Sequence, residues 1–225
     1  MMNDLIRVAA TNGAKALSEY TAKQVLESYG ISITREILVQ TRAEALAAAQ
    51  TIGYPVVAKA CAAELMHKSE AGAVAIGIQD ETALQKAYDR IVASVGAPLE
   101  GVLIQEMVSG PRELVVGLTR DPQFGPCVML GLGGVLTEAL KDVVFRVAPF
   151  DRIEALDMMA ELRAQALLGC FRGQAAADRH ALADTLVAIG RIGIDHAQVA
   201  EIDINPIIIA PDGRIKAVDA LIVLT

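Results

Sequence analysis

The segment Leu65-Met66-His67-Lys68-Ser69-Glu70-Ala71-Gly72-Ala73-Val74 decides how this chain is read. It follows an apolar, strand-like run that itself ends in a lysine, Val56-Val57-Ala58-Lys59. Lysines and backbone N–H groups are what a polyphosphate requires. A histidine beside them can do what a lysine does not do here: accept a phosphoryl group covalently on a ring nitrogen. Lys68, Ser69 and Glu70 keep the segment polar and accessible. His67 therefore differs from His180, in a helix rich in polar residues, and from His196, in a loop, both of which read as surface residues.

Outward from this segment, helical and strand patterns alternate. Ser18 can cap a helix that runs over Thr21–Tyr29 and stops at Gly30. Residues 34–39 read as a strand, and Thr41-Arg42-Ala43-Glu44 is a capping box opening an alanine-rich helix that ends at Gly53. Strands follow over 55–60 and 72–78, a helix from Asp80 to about Val95, and an apolar strand over 101–108. From there strands dominate: 113–120 and 126–130 flank the turn Asp121-Pro122-Gln123-Phe124-Gly125, and 143–148 makes a third. Helices are expected over about 151–165 and 178–192. The C-terminal part reads as strand segments 199–204, 206–209 and 214–218, the last two joined by a Pro211-Asp212-Gly213 turn. The first hundred residues thus read as a small α/β lobe and the rest as an α+β lobe with an antiparallel sheet, hinged near Gln105-Glu106-Met107-Val108.

Composition narrows the functional classes. The chain has 225 residues, 53% of them apolar, enough for one domain or two small lobes with a substantial core. No apolar run nears the roughly 20 residues of a membrane span, and the N-terminus lacks the pattern of a secretory signal. Net charge is −7, aromatic content is 4% and tryptophan is missing, which argues against a nucleic-acid surface but not against a local basic pocket for a nucleotide. Cys61, Cys127 and Cys170 are far apart and have no zinc-ligand spacing with the histidines, so they are expected to be reduced, mostly buried, and housed in a cytoplasmic protein.

Other candidate residues can each be read in two ways. Lys59 on an inner strand either snorkels to solvent or meets an anion. Glu106 either accepts from ribose hydroxyls or marks where its strand leaves the core. Arg146 is a phosphate or carboxylate clamp, or the partner of Asp142 or Glu138 in a surface ion pair. Gly131-Leu132-Gly133-Gly134 is a backbone anion site or a tight turn, and it is not a dinucleotide fingerprint. Glu201-Ile202-Asp203-Ile204-Asn205-Pro206 is sharper. Strand alternation sets Glu201, Asp203 and Asn205 on one face, where like charges are tolerated if a cation or base lies among them. Oxygen ligands of this kind suit magnesium, and Asp219, on the strand expected to return alongside, could face the same cation; the alternative is the solvated face of an edge strand.

In combination these segments resemble a known family. Gly53-Tyr54-Pro55-Val56-Val57-Ala58-Lys59, His67-Lys68-Ser69, Gln105-Glu106-Met107, Arg120 to Pro126, Gly131 to Gly134 with Glu138, and Glu201 to Pro206 occur in the order seen in the NDP-forming acyl-CoA synthetases. The chain is similar to their ATP-grasp domain, and especially to the β subunits of ADP-forming acetate–CoA ligases, from about residue 15 to 222. The resemblance implies an α/β (α+β) ATP-grasp fold whose two lobes clamp a nucleotide. It implies an N-terminal helical segment over 1–24 packing on the second lobe, a small lobe over 25–103, and a nucleotide- and metal-binding lobe over 104–225. The implied cofactors are ATP or ADP and Mg2+.

Carried over by position, His67 would relay a phosphoryl group as phosphohistidine and Asp203, where succinate ligases have glutamate, would orient it. Lys59 would hold the phosphates, and Glu106, Met107 and Val108 would line the adenine and ribose pocket. Lys68, Ser69, Gly72, Glu113 and Arg146 would complete the nucleotide set, and Asn205 and Asp219 would hold magnesium. One departure is Ala71, in Ala71-Gly72-Ala73-Val74, where the family often has another glycine. Nothing in the chain reads as a CoA-binding module, so the resemblance implies a partner: a CoA-binding α subunit carrying the first phosphohistidine, in a hetero-oligomer. A separate subunit is expected over a domain cut from a fused protein. A second class of reading is a non-catalytic nucleotide-sensing module. A third, a stand-alone ATP-grasp ligase, is disfavoured by the His-Lys-Ser motif.

Overall fold

The computed structural model describes residues 5–62, 72–95, 98–134 and 142–225. Two units are distinguished: Ser18–Tyr20 with Thr34–Met107, and residues up to Leu17 with Thr21–Ile33 and Val108–Thr225.

The larger unit begins with helix α1 (Leu5–Thr11) and most of α2 (Glu19–Ser28), whose first two residues belong to the smaller unit. The smaller unit then runs β1 (Glu36–Val39), α3 (Arg42–Ile52), β2 (Val56–Cys61), β3 (Val74–Ile78), α4 (Glu81–Ser94) and β4 (Gly101–Glu106). Its strands form one sheet in the order β1-β4-β2-β3, antiparallel throughout. The helices start where the sequence supplies acceptors for their unpaired N–H groups. Thr41 and Glu44 form the expected capping box on α3, and Asp80 accepts from Ala83 N at 2.8 Å at the start of α4. Gly53 ends α3 at φ 92°, a conformation that costs glycine little. The core of this unit is built from small residues, with Ala45, Ala49, Ala58 and Ala60 fully buried beside Leu84, Ile91 and Ile104.

The larger unit continues with β5 (Arg112–Asp121), β6 (Gly125–Leu132), β7 (Val143–Val147), α5 (Arg152–Glu161), a 3-10 turn over Gln165–Leu168, α6 (Arg179–Asp195), β8 (Val199–Ile209), β9 (Ile215–Ala217) and β10 (Leu221–Leu224). Its sheet has the order β10-β8-β5-β6-β7, with β9 also paired to β8, and every pairing is antiparallel. At the β5–β6 turn, Asp121 Oδ1 accepts from Gln123 N and Phe124 N at 2.7 and 2.9 Å, and Gly125 takes φ 79°, as a tight hairpin needs. Asp151 and Asp178 cap α5 and α6. One face of the sheet is sealed by helices: Leu118, Val128 and Ile202 share a buried cluster with Leu26 of α2, Met158 of α5 and Ile189 of α6.

Arg112, at the start of β5, is a main tie in this unit. It is 1% exposed, and its guanidinium donates to the carbonyls of Leu167, Gly169, Ala175 and Ala210 at 2.8–3.4 Å. These bonds fasten the segment after α5 and the end of β8 to the central strand. The expected helix over 151–165 accordingly stops at Glu161, and a short 3-10 turn follows. Two other expectations are corrected. His196 is buried, at 9% exposure, where it ends α6, because Tyr29 lies against its ring. Of the three reduced cysteines only Cys61 is buried; Cys127 is partly exposed and Cys170 is exposed. Among the described residues no helix is long and apolar enough to cross a membrane.

Candidate functional site

In the larger unit, β8 separates its side chains as alternation requires. Ile202 and Ile204 are buried at 1% and 0%, whereas Glu201 and Asn205 are exposed and Asp203 is partly buried. The sheet register shows what stands beside them. Asp203 faces Leu221 of β10, Ile207 faces Ala217 of β9, and between these pairs Val218 N donates to Pro206 O at 3.0 Å. All three share one register, which sets Asn205 level with Asp219. Residues directly opposite in an antiparallel pair share a face, so both side chains lie on the side of the sheet away from the helices. The peptide between Asn205 and Pro206 is cis. Asp219 also turns one carboxylate oxygen to its neighbour's N–H, Ala220 N, at 2.9 Å.

The charges on this face interact. Partial burial raises the Asp203 carboxyl above its ordinary range, and the negative charges of Glu201 and Asp219 raise it further. Asn205, Asp203 and Asp219 thus form an oxygen-rich, electronegative patch. Its chemistry suits a hard divalent cation that also takes ligands from phosphate and water. Among the described residues no three His, Cys, Asp or Glu side chains converge into a metal cage.

Arg146 is not brought to this patch. Cross-strand pairing aligns Ile202, Leu118, Val128 and Arg146 in one row, and Asp203, Gly117, Met129 and Phe145 in the next. Arg146 therefore lies on the helix-covered face, opposite to Asp203. There its Nε meets Glu154 Oε2 of α5 at 3.0 Å and its Nη2 meets Glu161 Oε1. It is an ion pair, as one reading of the sequence had it, but with α5 and not with Asp142. Asp142 instead accepts from Arg163 N and Ala164 N at 2.9 Å. Glu113 sits one residue into β5, where its carbonyl accepts from Gly133 N at 2.8 Å. Its carboxylate lies against Gly134, where an added Cβ would come within 3.1 Å of Oε2. Gly131 and Leu132 of the glycine-rich segment thus end β6, and Gly133 and Gly134 pack closely against Glu113. Val108 is partly buried.

In the smaller unit, Lys59 lies in the middle of the sheet. It faces Leu103 of β4 and Val74 of β3, and every residue of its strand is buried. It does not snorkel. Its Nζ donates to Glu19 Oε1, the first residue of α2, at 2.8 Å. Glu106 closes β4, where its carboxylate accepts from Arg35 N at 2.8 Å and from Arg35 Nε at 3.0 Å. Met107 follows, exposed, and Gly72 is exposed with φ 69°. His67, Lys68 and Ser69 lie outside the described residues, as does Glu138.

Reading the sequence alone passed over Glu19, Arg35 and Arg112. Glu19 stands next to Ser18, the residue expected to cap the helix. Arg35 precedes a strand with no pattern marking it. Arg112 adjoins Pro111, before an apolar run in which an arginine reads as an end marker.

The chain matches the family described as ATP-grasp domain over residues 8–224. It is 41% identical over 215 residues to the Acetate–CoA ligase [ADP-forming] I subunit beta of Pyrococcus furiosus, covering 93% of this chain and 92% of that one. It is 43% identical over 194 residues to the Acetate–CoA ligase [ADP-forming] I of Archaeoglobus fulgidus, but spans only 28% of that longer protein. Among solved structures it is similar to the dinucleotide forming Acetyl-coenzyme A synthetase 1 of Ca. Korarchaeum cryptofilum. In the complex with coenzyme A, Ca-AMPCP and HgCl+, the TM-score is 0.94 at 43% identity, with 100% of both chains covered. In the complex with coenzyme A and Mg-AMPPCP, whose phosphohistidine segment points towards the nucleotide binding site, the TM-score is 0.88 at 42% identity, again over 100% of both chains.

Proposed function

We propose, from the premise that the chain belongs to the ATP-grasp family and stands there with β subunits and β-like domains of ADP-forming acyl–CoA ligases, that it is the nucleotide-handling part of such a ligase. The overall reaction is acyl-CoA + ADP + phosphate ⇌ acid + ATP + CoA. This chain's share is to move a phosphoryl group between phosphohistidine and ADP. The P–N bond to the imidazole breaks, a P–O bond to the terminal ADP oxygen forms, and the ring is left neutral. The observation that carries the reading is Asn205 level with Asp219 on the face of β8 opposite to α2, α5 and α6, an oxygen pair of the kind magnesium takes along with phosphates.

The roles carry over by position from the family resemblance. Lys59 is the cation for the phosphates, and Lys68 and Ser69 add donors beside His67. Glu106, Met107 and Val108 receive the adenosine, and Gly72 and Glu113 border the phosphates. Asn205 and Asp219 hold magnesium, which when bound neutralises phosphate charge during transfer. Asp203 orients the ring of His67 by accepting from one nitrogen and leaving the other for phosphorus. Arg146 is left out, because it lies on the opposite face and is engaged by two glutamates.

The acid and CoA are handled elsewhere. The chain spans 28% of the Archaeoglobus fulgidus relative and 92% of the Pyrococcus furiosus β subunit, which supports the reading that a CoA-binding α subunit, delivering its own phosphohistidine, is its partner. The test is calorimetric titration of the purified chain with ADP, in magnesium and in EDTA, with and without that subunit. Saturable binding that requires magnesium supports the reading. Absence of binding in both preparations overturns it, and binding without any phosphorylation of His67 makes the chain a sensing module instead.

A further inference from the structure

We infer that Glu19 is the positioning residue of Lys59: its carboxylate holds and aims the ammonium, so that nucleotide affinity depends on a residue that does not touch nucleotide. This rests on the reading of Lys59 as the phosphate-binding lysine. Both residues belong to the smaller unit, and their side chains are 7% and 1% exposed. A charge so deep among Val56, Ala58 and Ala60 calls for an anion beside it, because burial disfavours an unpaired charge. Glu19 supplies that anion at 2.8 Å. An ammonium has three N–H donors, so it can serve a carboxylate and a phosphate oxygen together.

Two further points separate this pair from a stabilising accident. A buried ion pair adds little net stability over an apolar pair of similar size, so stability alone does not account for it. Glu19 is also the first residue of α2, where the helix N-terminus favours a negative charge.

The experiment is a double-mutant cycle on Mg·ADP affinity, read by calorimetry on the full chain with its α subunit present. Glu19→Gln is expected to weaken binding on the order of tenfold, the loss of about one charge-assisted contact. Lys59→Met should weaken it at least as much. In the Lys59→Met background, Glu19→Gln should add nothing, because a residue acting through another has no effect once that other is gone. Glu19→Asp, which keeps the charge but draws it back, should fall between wild type and Glu19→Gln. It also carries the test if Glu19→Gln does not fold. Equal losses in both backgrounds, tighter binding by Glu19→Gln, or wild-type affinity in Glu19→Gln would each overturn the inference. Wild-type affinity in Lys59→Met would instead remove the phosphate role of Lys59, and this inference with it.

Discussion

Asn205 and Asp219 stand level with each other across β8 and the returning chain, although Asp219 lies in the connection between β9 and β10 and not in a strand. The register on either side holds them there, and Asp203 lies on the same face two residues away from Asn205. Such a pair gives a cation two oxygens from different segments, which positions it without enclosing it.

Asp219→Ala should therefore weaken ADP binding in magnesium on the order of tenfold or more, the loss of about one charged ligand. It should leave any weak binding in EDTA unchanged. Titration in the two buffers separates the effects: an equal loss in both would mean that Asp219 contacts the nucleotide or supports the fold, and not the metal.

His67→Ala should abolish phosphoryl transfer to ADP while Mg·ADP still binds, because the nucleophile is lost and the phosphate cations remain. The check is transfer of labelled phosphate from the phosphorylated α subunit, alongside calorimetry. Full transfer by the variant would mean that the α-subunit histidine meets ADP directly.

Arg112→Met should destabilise the larger unit by about 3 kcal/mol or more, the cost of leaving buried polar groups without their charged donor. Four carbonyls lose their donor together, those of Leu167, Gly169, Ala175 and Ala210. Urea unfolding reads this as a lower midpoint at constant slope. Arg112→Lys should recover only a small part, because a single ammonium cannot span carbonyls from three separate segments. Near wild-type stability in either variant would show that these segments hold their places without the guanidinium.

Much of the fold could be read in the sequence because local rules govern it. The capping box at Thr41, the turn at Asp121–Gly125 and the alternation of Glu201, Asp203 and Asn205 against Ile202 and Ile204 all recur in the structure. What could not be read depends on partners distant in the chain. Lys59 meets Glu19 across 40 positions, Glu106 meets Arg35 across 71, and Arg146 chooses α5 over Asp142 once the sheet face is fixed. Strand alternation says that Arg146 and Asp203 each take one face of a strand. Only the cross-strand register says that those faces are opposite.

His196 reads as a surface residue in the sequence for a related reason: its cover, Tyr29, lies just past the end of α2, 167 positions away. Tyr29 Oη donates its only hydrogen to Asp195 Oδ2 at 3.0 Å and lies 3.0 Å from His196 Nε2. The ring therefore donates from Nε2, which assigns the neutral tautomer. Burial lowers the pKa of His196, and the charge of Asp195 only partly opposes this, while burial and Asp195 push the tyrosine up to about 12. In the unfolded chain the imidazole titrates at the ordinary value of about 6.5. Just below that pH the unfolded state binds a proton that the native state does not, so stability rises with pH there. The contribution is complete above the unfolded value and is lost progressively as pH falls from about 6.5 towards the lowered native value. Urea midpoints measured from pH 8 to pH 5 should fall for wild type. They should fall less for His196→Gln, whose amide can still donate to Tyr29 but does not titrate. Asp195, Arg191 and the other ionisable groups are common to both proteins, so their share cancels in the difference. Parallel midpoint curves would mean that His196 takes up its proton as readily in the native state as in the unfolded chain, and that the contact with Tyr29 survives its charging.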